Sequence, residues 1–151
     1  GVSIEAAGNP CTLTLAEAAA GVVFRFTVVV EKDLAAILSL PRNCLRGRES
    51  GLSLFILERI QGNGQTYCLC DTGRCALDPE RVDVAAGRYE EKLEWTGRNW
   101  NGPSDFNAPL GDPFPPGRYR FEVKARGEYR ETDGVKMLFR ITGGFDFDLV
   151  E

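Results

Sequence analysis

The sequence contains no histidine. That excludes Ser-His-Asp and Cys-His nucleophile systems, along with every His-ligated metal centre. Chemistry in this chain would have to run on carboxylates, lysine, tyrosine or a lone thiol, and no catalytic role is expected. Long apolar runs are missing too. No stretch reaches about 18 apolar residues, the length at which a membrane-spanning helix is read. Basic residues are outnumbered, 18 Lys and Arg against 22 Asp and Glu. Nucleic acid selects for a basic face, so no nucleic-acid partner is expected. The chain also lacks internal repeats, low-complexity tracts, linkers and the helix-strand alternation of a parallel sheet.

What remains is ample material for a core. Hydrophobic residues make up 43% of 151 positions, enough for one folded domain over residues 1–151 and too many for disorder. The most informative stretch runs from Gly87 to Lys124. In its first part Tyr89, Glu91, Leu93 and Trp95 share one face, with Glu90, Lys92 and Glu94 opposite. In its last part Tyr119, Phe121 and Val123 oppose Arg118, Arg120, Glu122 and Lys124. Period-two alternation marks strands with one dry and one wet face. Pro, Gly, Asn and Asp fill the segment between them, which predicts strand, long loop over 98–115, strand, within one antiparallel sheet.

Other strands follow from the same signal. Cys11 to Leu15 alternates and reads as an edge strand, and 16–21 as a helical turn or a loop. Val22 to Glu31 is the strongest strand, with Phe24, Phe26, Val28 and Val30 on its dry face. Leu34 to Leu40 reads as a short strand stopped by Pro41. Leu52 to Ile60 alternates, and Gln61-Gly62-Asn63-Gly64 turns it into a hairpin, Asn-Gly being the strongest short hairpin signal. Arg81 to Val84 is a short strand. Gly127 to Gly134 reads as a charged turn, Val135 to Ile141 as a strand, and Gly143-Gly144 as a kink before Phe145, Phe147 and Leu149. Roughly seven to nine strands at this spacing indicate an all-β chain folded as an antiparallel β-sandwich.

The order of these elements, with Gly87, Tyr89, Trp95, Gly97, Pro116, Gly117, Tyr119, Phe121 and Val123 at their positions, resembles bacterial immunoglobulin-like sandwiches. Within them it is similar to the BsuPI-type family, named for an intracellular proteinase inhibitor. The resemblance covers roughly residues 21–125 and implies an immunoglobulin-like fold and an inhibitor's role. Pro and Gly make the turn, and the tyrosine enters the core beside it. The chain departs from that family in its cysteines and in the loop at 98–115.

Five cysteines are present: Cys11, Cys44, Cys68, Cys70 and Cys75. An oxidising compartment would pair them, and an odd number leaves one over. Cys68 and Cys70 point to the same face of a strand, and the turn at 71–74 brings Cys75 back, so a local disulfide from Cys75 to Cys70 or Cys68 is expected. Cys11 and Cys44 would then pair. Zinc wants four ligands in paired spacings, and three thiols do not supply them. A redox-active thiol would have only Arg74 to lower its pKa. No metal or cofactor is therefore expected.

The 98–115 loop carries residue types that anchor interfaces: Arg98, Trp100, Asp105, Phe106 and Phe114. Loops of about 12 or more residues without secondary structure of their own are often functional. Trp100 reads either as a plug over one end of the sandwich or as a binding contact. Trp95, sharing a face with Leu93, reads as core. Asp146 and Asp148 form a wet strand face rather than a glycosidase pair. Calcium through Asp71, Asp105 or Asp112 lacks the required spacing, and Arg42, Arg46 and Arg48 read as a solvated loop. The chain opens on Gly1, as a processed or trimmed chain does, so an export signal or lipid anchor would lie upstream.

These readings combine into one expectation: a disulfide-stapled module exported to a bacterial cell envelope (secreted, periplasmic or anchored to the outer membrane) that binds another envelope protein through the 98–115 loop, with the 42–50 loop as a second candidate surface. The alternatives are a proteinase inhibitor, with a protease as partner, or a carbohydrate-binding sandwich presenting Trp100 beside a second coplanar aromatic.

Overall fold

The computed structural model describes residues 1–39, 50–68, 80–100, 110–130 and 134–151. Twelve strands and one short helix occupy them. In chain order these are β1 (Val2–Glu5), β2 (Thr12–Thr14), α1 (Leu15–Ala20), β3 (Val22–Val30), β4 (Leu34–Ser39), β5 (Phe55–Gly62), β6 (Gln65–Cys68), β7 (Glu80–Val84), β8 (Gly87–Trp95), β9 (Arg98–Trp100), β10 (Leu110–Pro113), β11 (Gly117–Arg130) and β12 (Lys136–Val150). The Arg42–Arg48 loop and the turn at 71–74 lie outside the described residues.

The chain is an all-β sandwich. One sheet has the order β1-β3-β8, and the other runs β2-β12-β11-β4-β7, with the β5–β6 hairpin also attached along β11. All pairings are antiparallel except β2 with β12, which is parallel. The alternation read from the sequence sets the faces. Phe24, Phe26, Val28 and Val30 of β3 are buried, as are Leu93 and Trp95 of β8 and Tyr119, Phe121 and Val123 of β11. Where the two inner faces meet, aromatic rings interlock. Phe24 lies 5.2 Å from both Phe121 and Phe147 between ring centres, and Phe26 lies 5.9 Å from Phe121. Such pairs contribute about 0.5–1.5 kcal/mol each beyond the area they bury.

Two expectations about connectivity change. First, β8 and β11 do not share a sheet: β8 pairs with β3, and β11 with β12, β5 and β4. Alternation reveals which face of a strand is dry, not which neighbour it takes, and both strands present their dry faces to the same core from opposite sides. Second, the region around Gly127 is strand rather than turn. β11 and β12 form one long hairpin whose register runs unbroken from Gly117↔Leu149 to Arg130↔Lys136. Gly143 and Gly144 do not break it. They serve close approach: a Cβ at Gly143 would sit 2.6 Å from the Ile4 side chain, and one at Gly144 (φ +149°) 2.0 Å from the Phe121 carbonyl oxygen.

Local chemistry explains the smaller elements. Thr14 and Glu17 form a reciprocal capping box that starts α1 at Leu15, so most of the 16–21 stretch, where the sequence left helix and loop open, is helix. Ala36 takes a left-handed φ of +51°, which makes a bulge in β4. Asp83 Oδ1 accepts from its N–H at 2.8 Å, and Arg81 Nη1 donates to its carbonyl at 2.7 Å. Asn9 extends the β1–β3 pairing with its side chain: Nδ2 donates to Arg25 O and Oδ1 accepts from Arg25 N. Beyond it the chain crosses to the other sheet, where Asp148 N donates to Cys11 O.

Gly144→Ala is expected to destabilise the protein by about 3 kcal/mol, the upper end for forced overpacking. Gly8→Ala, at a positive φ but with nothing within 4 Å, should cost only about 1–2 kcal/mol for the backbone conformation. Denaturant unfolding of the two variants separates steric from conformational cost.

Candidate functional site

The 98–115 segment is not a bare loop. β9 and β10 pair antiparallel as a two-stranded ribbon, with Leu110 opposite Trp100 and Pro113 opposite Arg98. Its base is pinned to the core at several points. Phe114 N donates to Gly97 O at 2.8 Å. The buried Trp95 indole donates from Nε1 to Arg98 O at 3.2 Å, and Arg98 Nη1 crosses the ribbon to Gly111 O at 3.0 Å. Phe114 itself is 1% exposed, wedged 5.1 Å from both Trp95 and Tyr119. This corrects its place among the contact residues. Pro115-Pro116-Gly117 turn the chain back onto β11, and the ring before them is driven inward to close the end of the core.

Tyr119, at the start of β11, completes that closure. Its hydroxyl donates to Pro115 O at 2.6 Å, and burial pushes its pKa up despite a hydrogen bond with Asn63. Tyr89 makes the equivalent contact at the start of β8, donating to Ala85 O at 2.8 Å.

Trp100 is half-buried and stacks on Tyr67 of β6, ring centres 5.3 Å apart and 21° between planes. Its indole Nε1 is buried and has no hydrogen-bond partner among the described residues. Asn99 Nδ2 donates to Gln65 Oε1 at 3.0 Å, so the β5–β6 hairpin forms the floor under the ribbon. The hairpin turn is Asn63-Gly64, with φ +47° and +74°, the two left-handed positions an Asn-Gly turn supplies. Asn63 Nδ2 donates to Pro116 O at 3.2 Å. Beside it lies a shallow cleft of about 570 Å³, lined by Gln61, Thr66, Arg118, Arg120 and Asp146 among others.

No protein family, curated protein or solved structure matches this chain. Function has therefore to be read from these residues.

Of the expected contact residues, Arg98 is exposed and Trp100 half-buried on the ribbon, while Asp105 and Phe106 lie outside the described residues. Cys11 is exposed; Cys44, its expected partner, and the expected Cys70–Cys75 pair lie outside the described residues. Asp146 stands on an exposed face, 3.0 Å from Arg120 and 3.7 Å from Arg118. Asp112 is exposed on the ribbon, and Asp71 falls outside. Among the described residues no three His, Cys, Asp or Glu side chains are grouped to hold a metal ion, and no helix is long and apolar enough to cross a membrane.

Sequence reasoning missed the hairpin's part in the site. Asn63, Gln65 and Tyr67 were legible as turn and return strand, but nothing in their pattern says that they carry the ribbon. It missed an inward carboxylate, Glu58, as well, while Glu91 lies on the dry face of β8 where the alternation puts it. Glu58 sits between Ile56 and Ile60 on the inner face of β5, and Glu91 between Tyr89 and Leu93 on that of β8; both are buried. Ser50 Oγ donates to Glu91 Oε1.

Phe114→Ala is expected to cost about 3–5 kcal/mol as a buried aromatic truncation, while Asp112→Ala leaves thermal unfolding unchanged. Tyr119→Phe should cost about 1 kcal/mol near neutrality by losing the Pro115 bond. Because the folded-state pKa of Tyr119 is raised, its contribution is complete below the ordinary tyrosine range and is lost as pH rises through the folded value. The gap between wild type and Tyr119→Phe in denaturant titrations should therefore close at high pH.

Proposed function

We propose that this protein is a non-catalytic binding module of immunoglobulin-like type, exported to a bacterial cell envelope, which recognises a protein partner through the β9–β10 ribbon. The observation that carries the reading is the pinning of that ribbon. Trp95, Phe114 and Tyr67 hold its base, and Arg98, braced on Gly111 O, lies exposed on its surface. A recognition segment ordered before binding loses less conformational entropy on association than a free loop. Arg and Trp are also the side chains over-represented at binding hot spots.

Two features support the immunoglobulin-like part of the reading. The N-terminal segment divides between the sheets, β1 antiparallel to β3 and β2 parallel to β12. The Tyr119 hydroxyl reaches back four residues to a backbone carbonyl, as the tyrosine corner of such sandwiches does. Export and stapling by Cys11, Cys44, Cys70 and Cys75 belong to the same proposal, resting on the number of cysteines in so short a chain.

A proteinase inhibitor is the second reading, favoured by the same pinned ribbon, since such inhibitors present a rigid loop to a protease cleft. A carbohydrate platform is less well supported. The aromatic that lies coplanar with Trp100 is Tyr67, only 5% exposed, so the stack faces inward.

The test is photo-crosslinking from a probe at Asp112, exposed on the same ribbon, in intact cells that make the protein, followed by calorimetry with the captured partner. Arg98→Ala and Trp100→Ala should each weaken binding about 30-fold or more, the effect of losing a hot-spot side chain. Inhibition across a protease panel, abolished by the same substitutions, would select the second reading. A partner captured equally well by both variants overturns the ribbon as the recognition element.

A further inference from the structure

The outer edge of β12 is unusual. β2 covers it only at Asp148–Val150; from Lys136 to Asp146 that edge pairs with no strand among the described residues. The direction of its backbone groups follows from one bond. Asp148 N donates outward to Cys11 O, and the register against β11 has no shift. Groups two residues apart on a strand point the same way. Lys136, Leu138, Arg140, Thr142, Gly144 and Asp146 therefore present their N–H and C=O groups to the open edge.

An open edge of this length is a template for another strand. Charges on an edge normally keep copies apart, but here the signs are segregated. Lys136 and Arg140 stand at the start of the open segment and Asp146 at its end. Between them Leu138 is 80% exposed, and Met137 beside it is exposed as well. A strand that is basic at one end and acidic at the other is complementary to itself when two copies run antiparallel. A foreign strand would need that same charge order to satisfy both ends.

We propose that the β12 edge is the interface of a two-fold symmetric homodimer, in which two copies of β12 pair antiparallel about Ile141 and join their sheets into one. In this register each Lys136 meets Asp146 of the partner subunit, Arg140 meets Thr142 and Leu138 meets Gly144, all through outward-facing backbone groups. Each chain offers the same patch to the other, the geometry of an isologous contact. In the monomer Lys136 already holds Glu128 at 3.1 Å, and Asp146 already holds Arg120 at 3.0 Å. The pairing therefore joins two existing ion pairs into one network across each end of the interface.

Sedimentation velocity across the micromolar range, with folding checked by circular dichroism, tests this. The wild type should dimerise with rising concentration. Lys136→Asp and Asp146→Lys alone should each weaken dimerisation about tenfold or more, because like charges then oppose each other at both ends. An equimolar mixture of those two variants should recover it as a heterodimer, since an acidic side chain then faces a basic one at each end of the interface. Leu138→Lys, at a side chain with almost no contacts to lose, should weaken the dimer without altering the fold. A wild type that stays monomeric throughout overturns the proposal. So does a dimer that survives all three substitutions, or one that the mixture fails to restore.

Discussion

Everything in this molecule rests on the aromatic seam between the two sheets. Phe24 from one sheet touches Phe121, Phe145 and Phe147 from the other, and Trp95 bridges Phe24, Phe147 and Phe114. These rings come from β3, β8, β11 and β12 and from the turn before β11. They are far apart in sequence and meet only when both sheets are formed. Hydrophobic burial of that kind is non-directional. The preference of rings for offset and edge-on contacts adds the orientation that fixes one sheet over the other.

The seam also decides what the surface can present. Its open end, near Trp95, is closed by Phe114 and Tyr119, and the ribbon springs from that closure. The ribbon's position is thus inherited from core packing. On its other side it leans on the β5–β6 hairpin through Trp100 with Tyr67 and Asn99 with Gln65. The recognition element proposed above is therefore held by two independent supports, one apolar and central, one polar and peripheral.

How far the sequence revealed this depends on range. Strand faces were legible because alternation is local: Phe24, Leu93, Tyr119 and Phe121 all lie inward as their spacing says. The Asn63-Gly64 turn was legible because few residues tolerate its backbone. Sheet membership was not, since β8 and β11 show the same pattern whether they are neighbours or face each other across a core. Phe114 was misplaced because a lone aromatic among prolines and glycines has no period to read. The extent of the β11–β12 hairpin was hidden because Gly127, Gly143 and Gly144 mimic turns. In the folded chain they clear space for Ile37, Ile4 and the Phe121 carbonyl.

The division of the N-terminal segment between the two sheets has a mechanical consequence. β2 runs parallel to the end of β12 over three residue pairs, Thr12 to Thr14 beside Asp148 to Val150. Because the strands are parallel, tension drawing the preceding chain and the following chain apart pulls them in opposite directions along a common axis. The bonds between them are then loaded together, as in shear, and do not peel one at a time. A module strung between two anchors would first have to free β1 from β3; this short clasp would then take the load, with the ribbon and the seam shielded behind it.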